Sequence, residues 1–444
     1  MLAAQAGFNP KRELLARLAE ARRLTDKVFG IVKPECLYDR PIPERHRIVF
    51  YIGHLEAFDW NLLQTALNRK SSNPELDRLF AFGIDPVDGG LPSDSPEDWP
   101  ALHQVRQYQK STRQWIDQTL RDLDFSESEL GIPGLTPTML LHVAIEHRLM
   151  HAETLAYMFH QFPLDHKIPQ ASIPTLSSTP SNNEMVTIPA GIATLGKNRD
   201  DLDFGWDNEY EELKVAVPAF TVDRFQVTNA EYLKFVNDHG YHRQELWSEE
   251  GWVWRVESRI SHPVFWEKKG DGWQLRTMFH IVPLPQDWPV YVSHAEASAY
   301  ARWAGKQLPT ETQWHRAAYG TRNAENLFPW GRTLPEDMHG NFDFRNWDPV
   351  PVNAGQQQPS AFGVVGMIGN GWEWTSSIFE PLPGFQPFSF YPGYSANFFD
   401  GKHYVMKGGS PFTAASLLRR SFRNWFQPHY QYVYAGFRCV RNDV

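Results

Sequence analysis

Helical spacing of apolar positions dominates the first 163 residues of the chain. Leucine, alanine and other apolar residues recur every three to four positions, the period of an amphipathic helix. Segments with this spacing cover residues 11–32, 45–67, 99–123 and 136–162. The last one begins at Thr136, a good N-cap, and places Pro137 at the first helical position. Four long helices predict an antiparallel bundle, whose interior can hold metal ligands from facing helices.

The pattern changes after this region. Residues 166–184 are rich in Pro and Ser and lack periodicity, which predicts a linker. Beyond it come short β-like stretches with many Gly, Pro and Trp residues; 185–197 predicts a strand pair, and 295–305 and 310–320 predict short helices. The expected α+β chain therefore has a helical bundle at 1–165, a linker at 166–184 and a second domain at 185–444.

Composition narrows the function classes. The 444 residues suit two domains, and a net charge of −9 with dispersed Lys and Arg disfavours nucleic-acid binding. No apolar run approaches eighteen residues, so neither a membrane span nor a signal peptide is expected. Cys36 and Cys439 form no CxxC motif and no disulfide framework. We therefore expect a cytoplasmic protein that binds neither nucleic acid nor membrane.

Three histidines are the candidate metal ligands. His147 and His151 differ by about 40° around an ideal helix, and Leu155 and Met158 share their face, which is therefore the buried one. Two imidazoles on an apolar face are costly unless their nitrogens are satisfied, either by a metal or by hydrogen bonds in the core. His54, on the second predicted helix between two phenylalanines, is also expected to face inward.

Three neutral imidazoles that meet across a bundle suit Zn, Fe, Cu or Ni, and an open coordination face would permit catalysis. Glu153 is turned by about 120° from His147, so we expect it to face a substrate or a ligand rather than to bind the metal. The HExxH motif of zinc proteases is absent from the sequence.

Five motifs of the second half occur in a fixed order. They are LPTETQWHRAAYG (308–320), FPWG (328–331), AFGVVGMIGNGWEWTSS (361–377), VMKGGS (405–410) and AGFRCVR (435–441). Together they resemble the formylglycine-generating-enzyme/sulfatase-modifying-factor domain, a C-type-lectin-like fold, over nearly all of 186–444. Formylglycine enzymes bind copper through cysteines near the C-terminus, and the corresponding stretch here, 408–424, has none. The resemblance therefore implies the fold and not that activity.

The first half, with His54 followed by His147-x3-His151-x-Glu153, resembles a DinB-type bundle. A DinB bundle fused to the second domain resembles the ergothioneine-type sulfoxide synthase family. That resemblance implies that His54, His147 and His151 hold a non-haem iron(II). It also implies that O2 is the co-substrate and that sulfur is attached to the imidazole C2 of hercynine (Nα-trimethylhistidine).

The same resemblance implies substrate-binding residues in FRNW, 422–425, and its neighbours. Asn424 would hydrogen-bond the substrate, and Trp425 or Phe426 would face the trimethylammonium group, since aromatic faces attract such cations. Met150 occupies a place where other members carry a polar substrate contact. Glu153 is also counted among the substrate-binding candidates.

The family uses a tyrosine as a proton donor, and two tyrosines of the segment FSFYPGYSANFF are candidates. They are Tyr391 and Tyr394, and a structural role is the alternative for each.

The donor pocket departs from the pattern of family members that use γ-glutamylcysteine. Phe426 replaces an acid, Tyr430 replaces an arginine, and the loop 83–100 has acids but no arginine. A carboxylate-bearing donor would meet no obvious bidentate partner there. This favours a neutral, sugar-like donor and the selenoneine synthase branch, which joins hercynine to a selenosugar. Cysteine or γ-glutamylcysteine stays open, because three arginines lie nearby, at 419, 420 and 423.

Two functions of other classes remain as alternatives. One is a metal-dependent DinB-type thiol transferase or hydrolase that uses Zn or another divalent ion. The other is a non-enzymatic protein whose lectin-like domain binds a ligand and whose bundle is structural.

Overall fold

The computed structural model describes residues 10–82, 91–126, 128–170, 184–201, 203–355 and 357–442. The chain divides into two compact units. The first comprises residues 1–170 and 388–392, and the second comprises 171–387 and 393–444. Residues 171–183 of the predicted linker and 83–90 of the predicted donor loop lie outside the described residues. The domain boundaries drawn from the sequence stay predictions.

Five α-helices build the described part of the first unit. They are α1 (Pro10–Phe29), α2 (Ile48–Ala66), α3 (Pro74–Phe82), α4 (Leu102–Asp122) and α5 (Pro137–His160). The four long ones lie in the segments predicted from helical spacing, whereas α3 was not predicted. Helix α3 is anchored by Phe80, which is fully buried.

The helices of this unit are held by apolar faces and by one buried charge cluster. Helix α1 packs against α5, and α2 packs against α3 and α4. Arg148 of α5 is fully buried and donates hydrogen bonds to Asp59 at 2.8 Å and Glu56 at 3.1 Å, both on α2. Loss of one partner from such a cluster leaves an uncompensated buried charge and costs about 3–5 kcal/mol. The cluster therefore fixes the register of α5 against α2.

The described part of the second unit contains four small sheets and four helices. The helices are α6 (Asn229–Asn237), α7 (Glu249–Glu257), α8 (His294–Trp303) and α9 (Glu311–Tyr319). The strands are β1 (Met185–Ile188), β2 (Gly191–Leu195), β3 (Leu213–Val217), β4 (Phe220–Asp223), β5 (Trp266–Lys269), β6 (Gly272–Arg276), β7 (Ile281–Pro283), β8 (Trp372–Ile378), β9 (Tyr404–Lys407), β10 (Asn424–Phe426), β11 (Ala435–Gly436) and β12 (Val440–Arg441). The sheet orders are β1-β4-β12, β10-β9-β8-β11, β2-β3 and β5-β6-β7.

The prediction that residues 185–197 form a strand pair was wrong. Strands β1 and β2 both exist, but β1 pairs with β4 and β2 pairs with β3, all antiparallel. Pro189 and Ala190 separate the two strands, and each strand pairs with a partner further along the chain. The two predicted short helices correspond to α8 and α9.

Three of the sequence motifs of the second unit meet at Glu373. This fully buried carboxylate on β8 accepts hydrogen bonds from the indole N–H of Trp314 at 2.9 Å and from the guanidinium of Arg438 at 2.7 Å. Trp372 and Trp374 on either side are buried. No helix within the described ranges has both the length and the apolar character needed to cross a membrane.

Candidate metal centre

His54, His147 and His151 converge inside the first unit. One nitrogen from each ring lies within 4.8 Å of the corresponding nitrogen of the other two. The ring centroids are separated by 5.4 Å between His54 and His147, 5.0 Å between His54 and His151, and 4.5 Å between His147 and His151. His147 is buried, whereas His54 and His151 are partly exposed.

Local sequence sets the direction of the two α5 histidines. The Thr136 hydroxyl accepts a hydrogen bond from the backbone N–H of Met139 at 3.2 Å, which fixes the start of the helix. From this start, His147 and His151 lie one turn apart on the face that faces α2. The neighbouring Arg148 is held by the carboxylates of α2 described above, so the turn that carries both histidines is fixed against the helix that carries His54.

Hydrogen bonding selects the nitrogen that His54 can offer to a cation. Its Nδ1 lies 2.8 Å from the carbonyl oxygen of Phe80 in α3. Because a carbonyl only accepts, Nδ1 carries the proton and the lone pair is on Nε2. The Nδ1 atoms of His147 and His151 are buried and have no hydrogen-bond partner among the residues that the structure describes. Three rings arranged in this way are poorly satisfied without a bound cation or water.

Electrostatics keeps these imidazoles neutral at neutral pH. Burial, which disfavours the charged ring, lowers the pKa of His54 to about 4. Burial and the neighbouring histidines together lower the pKa of His147 and of His151 well below the usual value. Neutral rings retain the lone pair that a metal ion needs.

Aromatic side chains line the cluster. Phe58 stacks on His147 with ring centroids 3.5 Å apart and an angle of 11° between the rings, and Phe50 stacks on His54 at 4.7 Å. Tyr391 belongs to the segment 388–392 of this unit, and its ring centroid is 5.3 Å from that of Phe58. Tyr391 is therefore one ring removed from His147. The two stacking phenylalanines each lie one turn from His54, but they were not among the site residues predicted from the sequence.

The other site candidates of the first unit also lie on α5. Met150 is partly exposed and Glu153 is buried. Neither is among the clustered metal donors of the described residues.

The remaining site candidates belong to the second unit, and two of them, Trp425 and Tyr394, lie in an aromatic group. Trp425 on β10 stacks on Phe379 with centroids 4.1 Å apart and is edge-on to Tyr394 at 5.6 Å. Tyr394 in turn stacks on Trp206 at 4.0 Å. The side-chain oxygen of Asn424 accepts a hydrogen bond from the backbone N–H of Trp425 at 2.9 Å.

Phe426 and Tyr430 contact each other. Their rings stack with centroids 4.9 Å apart at an angle of 15°. Two uncharged rings therefore lie in contact at the two positions where the resemblance predicts an acid and an arginine for a γ-glutamylcysteine donor.

Comparison with known proteins identifies the family. The model of the sulfatase-modifying factor enzyme 1-like domain matches residues 170–443, and that of the DinB superfamily matches residues 17–155. Hercynine oxygenase of Mycolicibacterium smegmatis is 36% identical over 448 residues, which cover 97% of this chain and 99% of that protein. The chain belongs to the hercynine oxygenase family.

Other relatives of the hercynine oxygenase family match over different lengths. Hercynine oxygenase of Mycobacterium tuberculosis is 41% identical over 253 residues, 55% of this chain and 58% of that protein. Ergothioneine biosynthesis protein 1 of Neurospora crassa is 29% identical over 496 residues, 92% of this chain and 55% of that protein. The matched part thus spans little more than half of each of these two relatives. The combination of a DinB helical domain and a sulfatase-modifying-factor domain, predicted from the sequence, is confirmed.

Proposed function

We propose that this member of the hercynine oxygenase family catalyses the iron(II)- and O2-dependent formation of a C–S or C–Se bond at the imidazole C2 of hercynine. The observation that carries the proposal is the convergence of His54, His147 and His151 in a chain that aligns with hercynine oxygenase over 97% of its length. A cluster of histidines alone fits many metals, and the alignment alone identifies no ligand. Together they favour this reaction.

The three histidines are the proposed iron ligands. Their neutral rings, a protonated Nδ1 on His54 and orphaned buried nitrogens on His147 and His151 suit a divalent transition metal. When bound, iron(II) supplies the redox chemistry that activates O2. The Phe80 carbonyl orients His54, and the ring of Phe58 shields His147 from water.

Trp425 and Asn424 are the proposed hercynine-binding residues. Trp425 belongs to a group of rings that includes Phe379 and Phe398, and such faces attract a trimethylammonium group by about 1–2 kcal/mol when desolvated. The Asn424 amide offers a hydrogen-bonding group beside that ring. Met150 and Glu153 of α5 remain proposed substrate contacts.

Tyr391 is the proposed proton donor. Of the two candidate tyrosines it is the one that belongs to the first unit, where its ring lies against Phe58, which stacks on His147. Tyr394 is packed between Trp206 and Trp425, which favours a structural role for it. A proton donor of this kind typically contributes 10²–10⁴-fold to the rate.

An uncharged donor, a selenosugar in particular, is the proposed source of the chalcogen. The stacked pair Phe426 and Tyr430 offers no charge to an amino acid. Three nearby arginines could bind a charged donor, but each forms an ion pair with a carboxylate of this chain. The pairs are Arg419–Glu209, Arg420–Glu325 and Arg423–Glu311. Cysteine or γ-glutamylcysteine remains the alternative donor.

Metal analysis of anaerobically purified protein tests the proposed class of enzyme. We expect iron that is lost, together with turnover, in His147→Ala and kept in the control variant His142→Ala. Zinc that depends on His147 would favour the thiol transferase instead. Normal iron content in His147→Ala would refute the ligand assignment, and no metal at all would favour a binding protein.

A donor comparison tests the second half of the proposal. The enzyme is incubated with Fe(II), O2 and hercynine and with a selenosugar, cysteine or γ-glutamylcysteine, and products are identified by mass spectrometry. We expect the selenosugar to be used best. The double variant Phe426→Asp, Tyr430→Arg should shift use towards γ-glutamylcysteine. Product from γ-glutamylcysteine alone in the unaltered enzyme would overturn the assignment of an uncharged donor.

A further inference from the structure

A second group of metal-binding side chains lies in the first unit and shares no residue with the three histidines. Cys36 Sγ, a carboxylate oxygen of Asp39 and a ring nitrogen of His166 lie within 4.8 Å of one another. Cys36 ends the short helical turn Pro34–Cys36 between α1 and α2, and His166 ends the turn Leu164–His166 after α5. The group thus joins two parts of the chain that are about 130 residues apart in sequence.

The backbone holds these two turns together without any ligand. The N–H of Lys33 donates to the carbonyl of His166 at 3.0 Å, and the N–H of Ile168 donates to the carbonyl of Ile31 at 2.7 Å. Val32 and Lys167 form an isolated antiparallel bridge between these bonds. The N–H of Asp39 also donates to the carbonyl of Cys36 at 3.0 Å. The three donor side chains are therefore preorganised, which reduces the entropy lost on binding.

The donor atoms themselves are poorly satisfied. Cys36 is only 6% exposed and its thiol is in no disulfide. Within the described part of the chain, His166 Nδ1 is buried without a hydrogen-bond partner, although Asp39 Oδ2 lies 3.3 Å away. The side chains of His166 and Asp39 are 35% and 46% exposed, so an ion and a water molecule can reach the group from solvent. Hydrophobic packing does not account for the positions of these three polar side chains.

We propose that Cys36, Asp39 and His166 form a zinc site, with water as the fourth ligand. Thiolate, imidazole and carboxylate are the three zinc ligands found in proteins, and zinc accepts them in a tetrahedral arrangement. A thiolate excludes Mg²⁺ and Ca²⁺, which prefer oxygen. The cation would connect the α1–α2 turn to the end of α5 and so stabilise the helical unit rather than take part in the reaction at the three histidines.

Binding at this site releases a proton. Zinc binds the thiolate, and the thiol proton leaves to solvent with no change in oxidation state.

Anaerobic titration of the full chain with Co²⁺ tests the site. Cobalt(II) bound to a thiolate gives a sulfur-to-metal charge-transfer band, whereas cobalt bound to three imidazoles gives none. We expect Co²⁺ in excess of both metal-binding groups to produce this band, and Zn²⁺ to remove it by displacement. The band should be lost in Cys36→Ser and weakened at least tenfold in apparent affinity in His166→Gln.

Two controls separate this site from the proposed iron site. Glu35→Gln alters an exposed acid next to Cys36 that is not a member of the group, and it should keep the band. His147→Ala should also keep the band even though it removes iron. Absence of the band in the unaltered protein, or its persistence in Cys36→Ser, would overturn the proposal. Because His166 is partly exposed, His166→Gln gives an answer even if Cys36→Ser does not fold; unchanged affinity in that variant would also overturn it.

Discussion

At the scale of single residues, one backbone carbonyl decides how the first ligand of the metal centre is presented. The oxygen of Phe80 accepts a hydrogen bond from the Nδ1–H of His54 and leaves Nε2 available to a cation. Burial of the same ring lowers its pKa to about 4, so the ring is uncharged at neutral pH. The site is therefore prepared for a metal at neutral pH and becomes unfavourable when its histidines are forced to take protons.

The depressed pKa values of the three histidines predict a pH dependence of stability. The pKa of His54 is about 4 in the folded protein and about 6.5 when unfolded. Between these values the unfolded state binds more protons, so the metal-free protein loses stability as the pH falls from about 6.5 to 4. Above about pH 6.5 the effect is absent. Urea unfolding of metal-free protein should give a lower free energy of unfolding at pH 5 than at pH 7.

The contribution of one proton is at most about 1.4 kcal/mol per pH unit. Other groups also titrate in this range, so the matched comparison is His54→Asn, whose dependence between pH 5 and 7 should be flatter. Identical slopes for the two proteins would show that His54 is not buried in its neutral form.

The aromatic group around Trp425 predicts a specific loss of hercynine binding. Trp425→Ala removes the proposed cation–π contact, worth about 1–2 kcal/mol, so the KM for hercynine should increase by roughly 5- to 30-fold. Trp425→Phe keeps an aromatic face and should show a smaller increase. Trp115→Ala, which alters a half-exposed indole in the helical unit, should leave KM unchanged. An unchanged KM in Trp425→Ala would place the trimethylammonium group elsewhere.

At the scale of secondary-structure elements, the short helix α3 couples the fold to the metal centre. It supplies the Phe80 carbonyl to His54 and places the Phe80 ring directly over Gly53 of α2. A Cβ at position 53 would lie 2.3 Å from that ring, closer than two carbon atoms can approach. Glycine at 53 is therefore required by the approach of α3 and not by the conformation of α2.

Gly53→Ala tests this coupling. The added methyl group must displace α3, at a cost of about 1–3 kcal/mol, which outweighs the gain in helix propensity of about 1 kcal/mol. Because the Phe80 carbonyl moves as well, iron affinity should fall together with the free energy of unfolding. Urea unfolding and anaerobic Fe(II) titration measure the two effects. Gly355→Ala, where no atom lies within 4 Å of the added Cβ, should change neither.

At the scale of the whole molecule, the two units stabilise themselves by different means. The first depends on long helices and the buried cluster of Arg148, Glu56 and Asp59. The second has short strands and relies on buried Trp residues and on Glu373, which ties three sequence motifs together. Only the first unit holds the clustered metal donors found among the described residues.

Iron should therefore stabilise the protein through the first unit. A ligand at one hundred times its dissociation constant adds about 2.7 kcal/mol to the free energy of unfolding of the part that binds it. Anaerobic Fe(II) at that excess should raise the melting temperature of the unaltered protein and leave that of His147→Ala unchanged. An equal shift in both proteins would mean that the stabilising iron is bound elsewhere.

The sequence by itself determined the long helices, the family motifs and the common face of His147 and His151. These features depend on the helical period and on local capping, which act within a few residues of the chain. Helix α3 was not among the predicted helices, and it is anchored by the burial of Phe80 against other elements of the unit.

Only the tertiary structure decided which nitrogen of His54 is available, which strand pairs with β1, and that Cys36 and His166 meet. Each of these contacts joins segments that are 26 to 130 residues apart in the chain. Their formation depends on how whole elements pack, because burial, rather than the preference of any one residue, selects the partner. The residue types therefore determine which metal ions the two groups can bind, but only the folded chain brings the residues of each group together.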